Sequence, residues 1–380
     1  MEEVKGSNSF RSTKSVRNAV STRCLPRFKQ SAPSTTTIPS NPGTAADFDP
    51  CTVHFRFPPQ SASLEEVTDP AHTIPSLQAE LDSLEARVRT VLPEEYQNRY
   101  EDMLPKPMGS APLRFDSANR VAWNEIWNHF CDLALAGGPP HKGKLLESAT
   151  PGEIAAAPDR YREVVAEICR GLDLVAEIPV FPSPHPGWVR LTCTTPVMAG
   201  WLARAISVEN VSVHAAGNFL ELPAGPHYRL EKEIKNVVTV LAKTFHYFDW
   251  HIDAEQQSRI AGLFHDSPLP LLQPIRRAGF PDDDATIQHT RDKVATLLSH
   301  TTGLPRATTE YFNWVGLQCP DIRSALWMMR AILVNHSLAR REEQCLYLPI
   351  HPKLDPTGDR LSSLVSRIQR LAIARGVLHG

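Results

Sequence analysis

Apolar residues recur at helical spacing in several stretches of the chain. Leu77, Leu81, Leu84, Val88 and Leu92 share one stripe and Pro93 ends it, which predicts a helix over Pro75–Leu92. Trp123, Ile126, Trp127 and Phe130 predict a second helix over Val121–Ala136, closed by Gly137–Gly138. Val164, Val165, Ile168 and Leu172 predict a third over Asp159–Leu174. The stripe Leu230, Ile234, Val237, Val238, Leu241 and Phe245 predicts a helix over Arg229–Phe248. Leu361, Leu364, Val365, Ile368, Leu371 and Ala372 do the same for Arg360–Arg375. A strand is expected at Cys51–Phe57.

The patterns also repeat. Residues 188–223 match residues 314–349 without a gap, at an offset of 126. Trp188, Val189, Leu191, Cys193, Ala199, Trp201, Arg204, Ala205, Ile206, Val208, Leu220, Leu222 and Pro223 meet identical residues, 13 of 36 positions. Trp and Cys are rare, so two Trp pairs and a Cys pair make chance agreement a poor explanation. Each copy reads as a strand (Trp188–Cys193; Trp314–Cys319), a helix (Pro196–Asn210; Asp321–His336) and a hairpin. The first hairpin turns at Ala216-Gly217-Asn218, which suits positive φ, and the second at Glu342–Glu343. A helix precedes each copy and another follows it.

The expected fold class is α+β, with two α-β-α-β-β-α units related by pseudo-twofold symmetry and an N-terminal helical extension, because three strands are too few to stand alone. The expected divisions are a disordered basic tail (1–45), an extended and helical region (46–158), a first unit (159–250), a linker with a short helix (251–285) and a second unit (286–376). The β-α-β-β order used twice is similar to that of vicinal-oxygen-chelate proteins in element order alone; their metal-ligand pattern is missing from the sequence.

Composition narrows the function. The chain has 380 residues, a formal net charge of -2 and no long uninterrupted apolar run. Nucleic-acid binding and a membrane-spanning segment are therefore not expected. Seven cysteines without a CxxC pair point to a reducing compartment, hence a cytoplasmic location. The Arg- and Ser-rich tail also fits an organelle transit peptide, against which the Glu2–Glu3 pair speaks.

Three features could carry chemistry. The string Gly137-Gly138-Pro139-Pro140-His141-Lys142-Gly143-Lys144 places an imidazole and two cations among glycines, which suits close approach to an anion. It could equally be a stiff loop leaving a helix. On the helix Arg229–Phe248, Asn236, Lys243 and His246 lie off the apolar stripe and could face that loop, with His141 and His246 as acid–base groups and Lys142, Lys144, Lys243 and Asn236 as ligand contacts. Arg204 and Arg330, each one turn from a Trp, could hold a carboxylate or serve the core. Spacing of His246 and His251 does not suit a metal. The expectation is a protein that binds a small anionic molecule, carboxylate or phosphate, in a cleft between the repeats. The alternative is a non-catalytic interaction protein with its Trp-rich helices as interface. Catalysis, cofactor and a homodimer are left open by the sequence.

Overall fold

Several helices begin where the sequence supplies a capping side chain. The structure, a computed structural model, describes residues 76–106, 112–125, 130–277 and 284–378, all within the compact unit Ala71–Gly380. The tail 1–45 and the expected strand Cys51–Phe57 lie outside the described residues. Helix α1 (Leu77–Val91) starts where the Ser76 hydroxyl accepts from Ala79 N, and it buries Leu81, Leu84, Val88 and Val91. After the short α2 (Glu94–Gln97) come α3 (Pro151–Ala156), capped by Thr150 and Glu153, and α4 (Pro158–Ala176). Strands β1 (Val180–Pro182) and β2 (Trp188–Thr192) lead to α5 (Pro196–Ser207), capped by Thr195. The hairpin β3 (His214–Ala216) and β4 (Phe219–Pro223) follows. A π-type turn at Leu230–Ile234 runs into α6 (Lys235–His251), and α7 (Ala254–His265) is capped by Asp253. The remainder is α8 (Ala285–Thr302), β5 (Trp314–Gln318), α9 (Ile322–Leu333), β6 (Arg340–Glu342), β7 (Cys345–Pro349) and α10 (Asp359–Ala374).

The class is α+β. Among the described residues two antiparallel sheets form, in the orders β1-β2-β4-β3 and β5-β7-β6. Pairing is the same in both: Trp188 faces Pro223 and Trp314 faces Pro349, while His214 faces Glu221 and Arg340 faces Tyr347. Positive φ recurs at matching places, at Glu177 (52°) and Gly303 (69°), Asn210 (59°) and His336 (57°), and Gly217 (58°) and Glu343 (52°). A parallel bridge from Leu146 to Val211 has its counterpart from Leu272 to Ser337. Side chains alternate across a strand, so Val189, Leu191, Leu220 and Leu222 are all buried on one face of the first sheet. The other face carries Arg190, His214 and Glu221, and in the second sheet Gly316, Arg340 and Tyr347.

The expected helix over Val121–Ala136 does not form. Two single 3₁₀ turns stand there, Trp123–Glu125 and Ala134–Ala136, with residues 126–129 outside the described set. The backbone donors go to tertiary acceptors instead: Leu133 N to the Tyr96 hydroxyl at 3.4 Å and Ala134 N to Glu209 Oε1 at 3.2 Å. Trp123 is anchored by its indole N–H on Glu167 at 2.8 Å. Apolar spacing alone does not distinguish such a run of pinned turns from a helix.

Candidate functional site

The Gly-Pro-His-Lys loop starts at Gly137, whose φ of 110° ends the 3₁₀ turn before it in a conformation that favours glycine. A Cβ on Gly138 would sit 2.1 Å from the Asp132 carbonyl oxygen, whereas one on Gly143 would meet nothing within 4 Å. Gly138→Ala should therefore cost about 1–3 kcal/mol or more by overpacking, and Gly143→Ala should be close to neutral; urea unfolding of the two variants measures the contrast.

Loop and helix α6 do reach a common point, and an acid stands there. Glu209, just past the end of α5, has a fully buried side chain. Its Oε1 lies 2.9 Å from Lys243 Nζ and accepts from Ala134 N. Its Oε2 accepts from His141 N at 2.9 Å and lies 3.3 Å from His141 Nδ1. Lys142 N donates to the Glu209 carbonyl at 3.3 Å, and Asn210 Nδ2 donates to the Lys142 carbonyl at 2.8 Å. Burial alone would push the Glu209 carboxyl up, but Lys243 and His141 outweigh it and bring it down to about 2. Burial works against the Lys243 charge too, and Glu209 more than restores it, so its pKa is raised. Lys243 also lies 3.1 Å from Cys131 Sγ.

This changes the role of the cations. Lys243 and His141 surround an anion belonging to the chain. Of the other loop cations, Lys142 is half-buried and Lys144 is exposed, and neither makes an ion pair among the described residues. Asn236, in the first turn of α6, is half-buried. His246 packs on Phe130 (5.2 Å between centroids) and lies 3.3 Å from His251 Nε2; no hydrogen bond joins it to His141 or Glu209. Burial and His251 lower its pKa. Arg204 and Arg330 are 3% and 4% exposed and bind backbone: Arg204 Nε the Leu333 carbonyl at 2.8 Å, and Arg330 Nη2 the Ala136 carbonyl at 2.7 Å.

The fold gathers a second cation cluster from distant parts of the sequence. Arg87, Asp266, Leu269, His336, Arg360 and Arg367 help line a groove of about 390 Å³. Arg87 Nη2 donates to the Val334 carbonyl at 2.7 Å, but its Nε is shut from solvent with no hydrogen-bond partner. Arg360 Nη2 binds the carbonyls of Pro270 and His336 at 2.7 and 3.1 Å. Among the described residues neither Arg87 nor Arg360 has a carboxylate at ion-pair distance, while Arg367 pairs with Glu80. His336 is held neutral at pH 7, its pKa brought down to about 4 by burial and by Arg204, Arg87 and Arg360.

The groove and the Glu209 site occupy matching places. Asn335 stands 126 residues after Glu209, and Leu269 stands 126 after Gly143. An acid at the end of the apolar run Trp201–Val208, with an amide at the matching position 335, is the signal that could have found Glu209. Arg87 lies outside the repeat, and nothing local marks it. Among the described residues no three His, Cys, Asp or Glu side chains gather to hold a metal ion, and no helix is long and apolar enough to cross a membrane. Comparison with protein-family models, curated proteins and solved structures finds no match.

Proposed function

We propose that the chain is two copies of one α-β-α-β-β-α unit about a pseudo-twofold axis, and that it binds a small phosphate- or carboxylate-bearing molecule in the arginine groove of the second copy. The constant offset of 126 in strands, bridges and positive-φ residues supports the duplication. Reciprocal contacts support the axis. Leu145, ahead of the first unit's sheet contacts, donates its N–H to Glu342 Oε1 on β6 at 3.1 Å. Gln273, ahead of the second unit's, makes two 2.9 Å bonds to Ala215 on β3. Helices running in different directions after superposition of residues 188–223 on 314–349 over their strands would overturn the duplication.

One observation carries the ligand reading: the guanidiniums of Arg87 and Arg360 line the groove, and neither has a carboxylate at ion-pair distance among the described residues. An anion in the groove would accept from Arg87 and Arg360 in charge-assisted bonds, the stronger kind. In the first copy Glu209 supplies that charge internally; in the second, Asn335 leaves it to be supplied from outside. No hydroxyl or thiol of the groove hydrogen-bonds to the His336 ring among the described residues, so the reading is of binding.

Thermal unfolding with phosphate, pyrophosphate or citrate, at ionic strength matched with NaCl, tests it. A ligand at one hundred times its Kd should stabilise wild type by about 2.7 kcal/mol. Arg87→Gln and Arg360→Gln should bind at least about tenfold more weakly, and Lys144→Gln should respond as wild type does. No response from wild type, or a wild-type response from both arginine variants, would overturn the proposal. Loss of response in Lys144→Gln alone would return the site to the loop.

A further inference from the structure

The arginine groove has apolar walls for which an anion alone has no use. Pro268 and Leu269, which follow α7, and Leu364 of α10 line it together with Arg87 and Arg360. Leu364 is partly buried and packs on the core. Leu269 is 52% exposed, although it is large and apolar. It is also held in place. Pro268 and Pro270 flank it, each with its own φ fixed by the ring. The Leu269 N–H donates to Ser267 Oγ at 3.2 Å, and Arg360 Nη2 donates to the Pro270 carbonyl at 2.7 Å. Leu272 N then donates to the His336 carbonyl at 2.8 Å. The wall therefore stands before any ligand arrives, which lowers the cost of binding.

This inference rests on the anion reading of the groove and narrows it: we propose that the ligand is a free amphiphile, with one phosphate or carboxylate held by Arg87 and Arg360 and a hydrocarbon body of about six carbons laid along Leu269 and Leu364. Charge in the groove suits one anionic group. Arg367 is paired with Glu80 and His336 is neutral at pH 7, which leaves two guanidiniums to bind it. Size points beyond the head group. A groove of about 390 Å³ is in the range that takes a drug-sized ligand, and a bare phosphate fills a small part of it. Covering Leu269 with hydrocarbon removes apolar surface from water on both partners. A single exposed leucine beside the exposed Asp266 carboxylate is a poor surface for an anionic bilayer, which is bound through broad apolar and basic faces, so the ligand comes as a separate molecule.

Isothermal titration calorimetry on the full chain tests this with methyl phosphate and hexyl phosphate, which share a head group, below the concentration at which the longer one forms micelles. Hexyl phosphate should bind wild type at least about tenfold more tightly, since each buried methylene adds to affinity. Leu269→Ser, at an exposed position, should remove most of that advantage and leave methyl phosphate binding as in wild type. Arg87→Gln and Arg360→Gln should weaken both ligands at least about tenfold. Equal affinity of the two phosphates, or an advantage that survives Leu269→Ser, would overturn the amphiphile and leave the anion reading standing. No binding of either phosphate would remove the anion reading and this inference with it. Hexyl phosphate binding that is unchanged in both arginine variants would place the molecule outside the groove and sink the proposal. Cosedimentation with phosphatidylcholine vesicles containing phosphatidic acid, lost in Leu269→Ser, would overturn the free molecule in favour of a lipid surface.

Discussion

Glu209→Ala should destabilise the protein by about 3–5 kcal/mol, the usual cost of stripping one partner from a buried pair. It leaves the Lys243 ammonium, whose side chain is 0% exposed, without its carboxylate and orphans the N–H groups of Ala134 and His141. Lys243→Ala should cost a comparable amount. The sequence alone suggests the opposite for this lysine, as one of several crowded cations that could be removed at little cost. The double variant Glu209→Gln/Lys243→Met should lose less than the two single losses combined, because no charge is left behind. The pH dependence has a definite sign. The Glu209 carboxyl titrates at about 2 when folded, against an ordinary 4.5. Its contribution is present above the unfolded value and is lost as pH falls from there through the folded one. Urea unfolding at pH 7 and pH 3 should show wild type losing more stability than Glu209→Gln between the two. Equal losses, or a Glu209→Ala cost under about 1 kcal/mol, would mean the buried pair contributes little.

Arg340→Ala should be nearly as damaging. Its guanidinium lies 4.2 Å from the Tyr347 ring, 4.3 Å from Tyr311 and 5.0 Å from Trp314. Nη1 donates to Glu342 Oε1 at 2.7 Å and to Asn210 Oδ1 at 3.2 Å, while Nε and Nη2 have no hydrogen-bond partner in this aromatic enclosure. Alanine leaves both a cavity and an unpaired Glu342, and we expect a cost of about 3–5 kcal/mol in urea unfolding. Arg340→Lys keeps the charge but not the planar group that lies among the rings, so it should recover only part of the loss. Arg340→Met with Glu342→Leu should come closest to wild type. If alanine and lysine cost the same, the rings and not the charge hold this residue.

What could be read in advance follows from where identical residues fall. The match of 188–223 to 314–349 was legible because its identities sit at buried positions, Val189, Leu191, Leu220 and Leu222 and their counterparts, where packing constrains the side chain most. Helices α1, α4, α6 and α10 were legible from their apolar stripes, and α5 and α9 from the matching segments. Strand β1 was not, since three residues ending in proline carry no periodicity. Over 121–136, Trp123 and Leu135 stand on two separate 3₁₀ turns rather than on one helical stripe. The candidate sites were the least legible, because they lie where the two matching segments differ: Glu209 against Asn335, His214 against Arg340, Glu221 against Tyr347. A search for agreement passes over those positions.

Asn210 is a shared anchor. Its amide nitrogen donates to the carbonyls of Lys142 and Arg341, both at 2.8 Å, and its oxygen accepts from Arg340. Its backbone sits at φ 59°, a conformation that asparagine tolerates better than most residues. One short side chain thus pins the loop and the edge strand of the opposite unit to the end of α5. All three bonds hang on a single amide, so one substitution there would loosen the loop and the strand together.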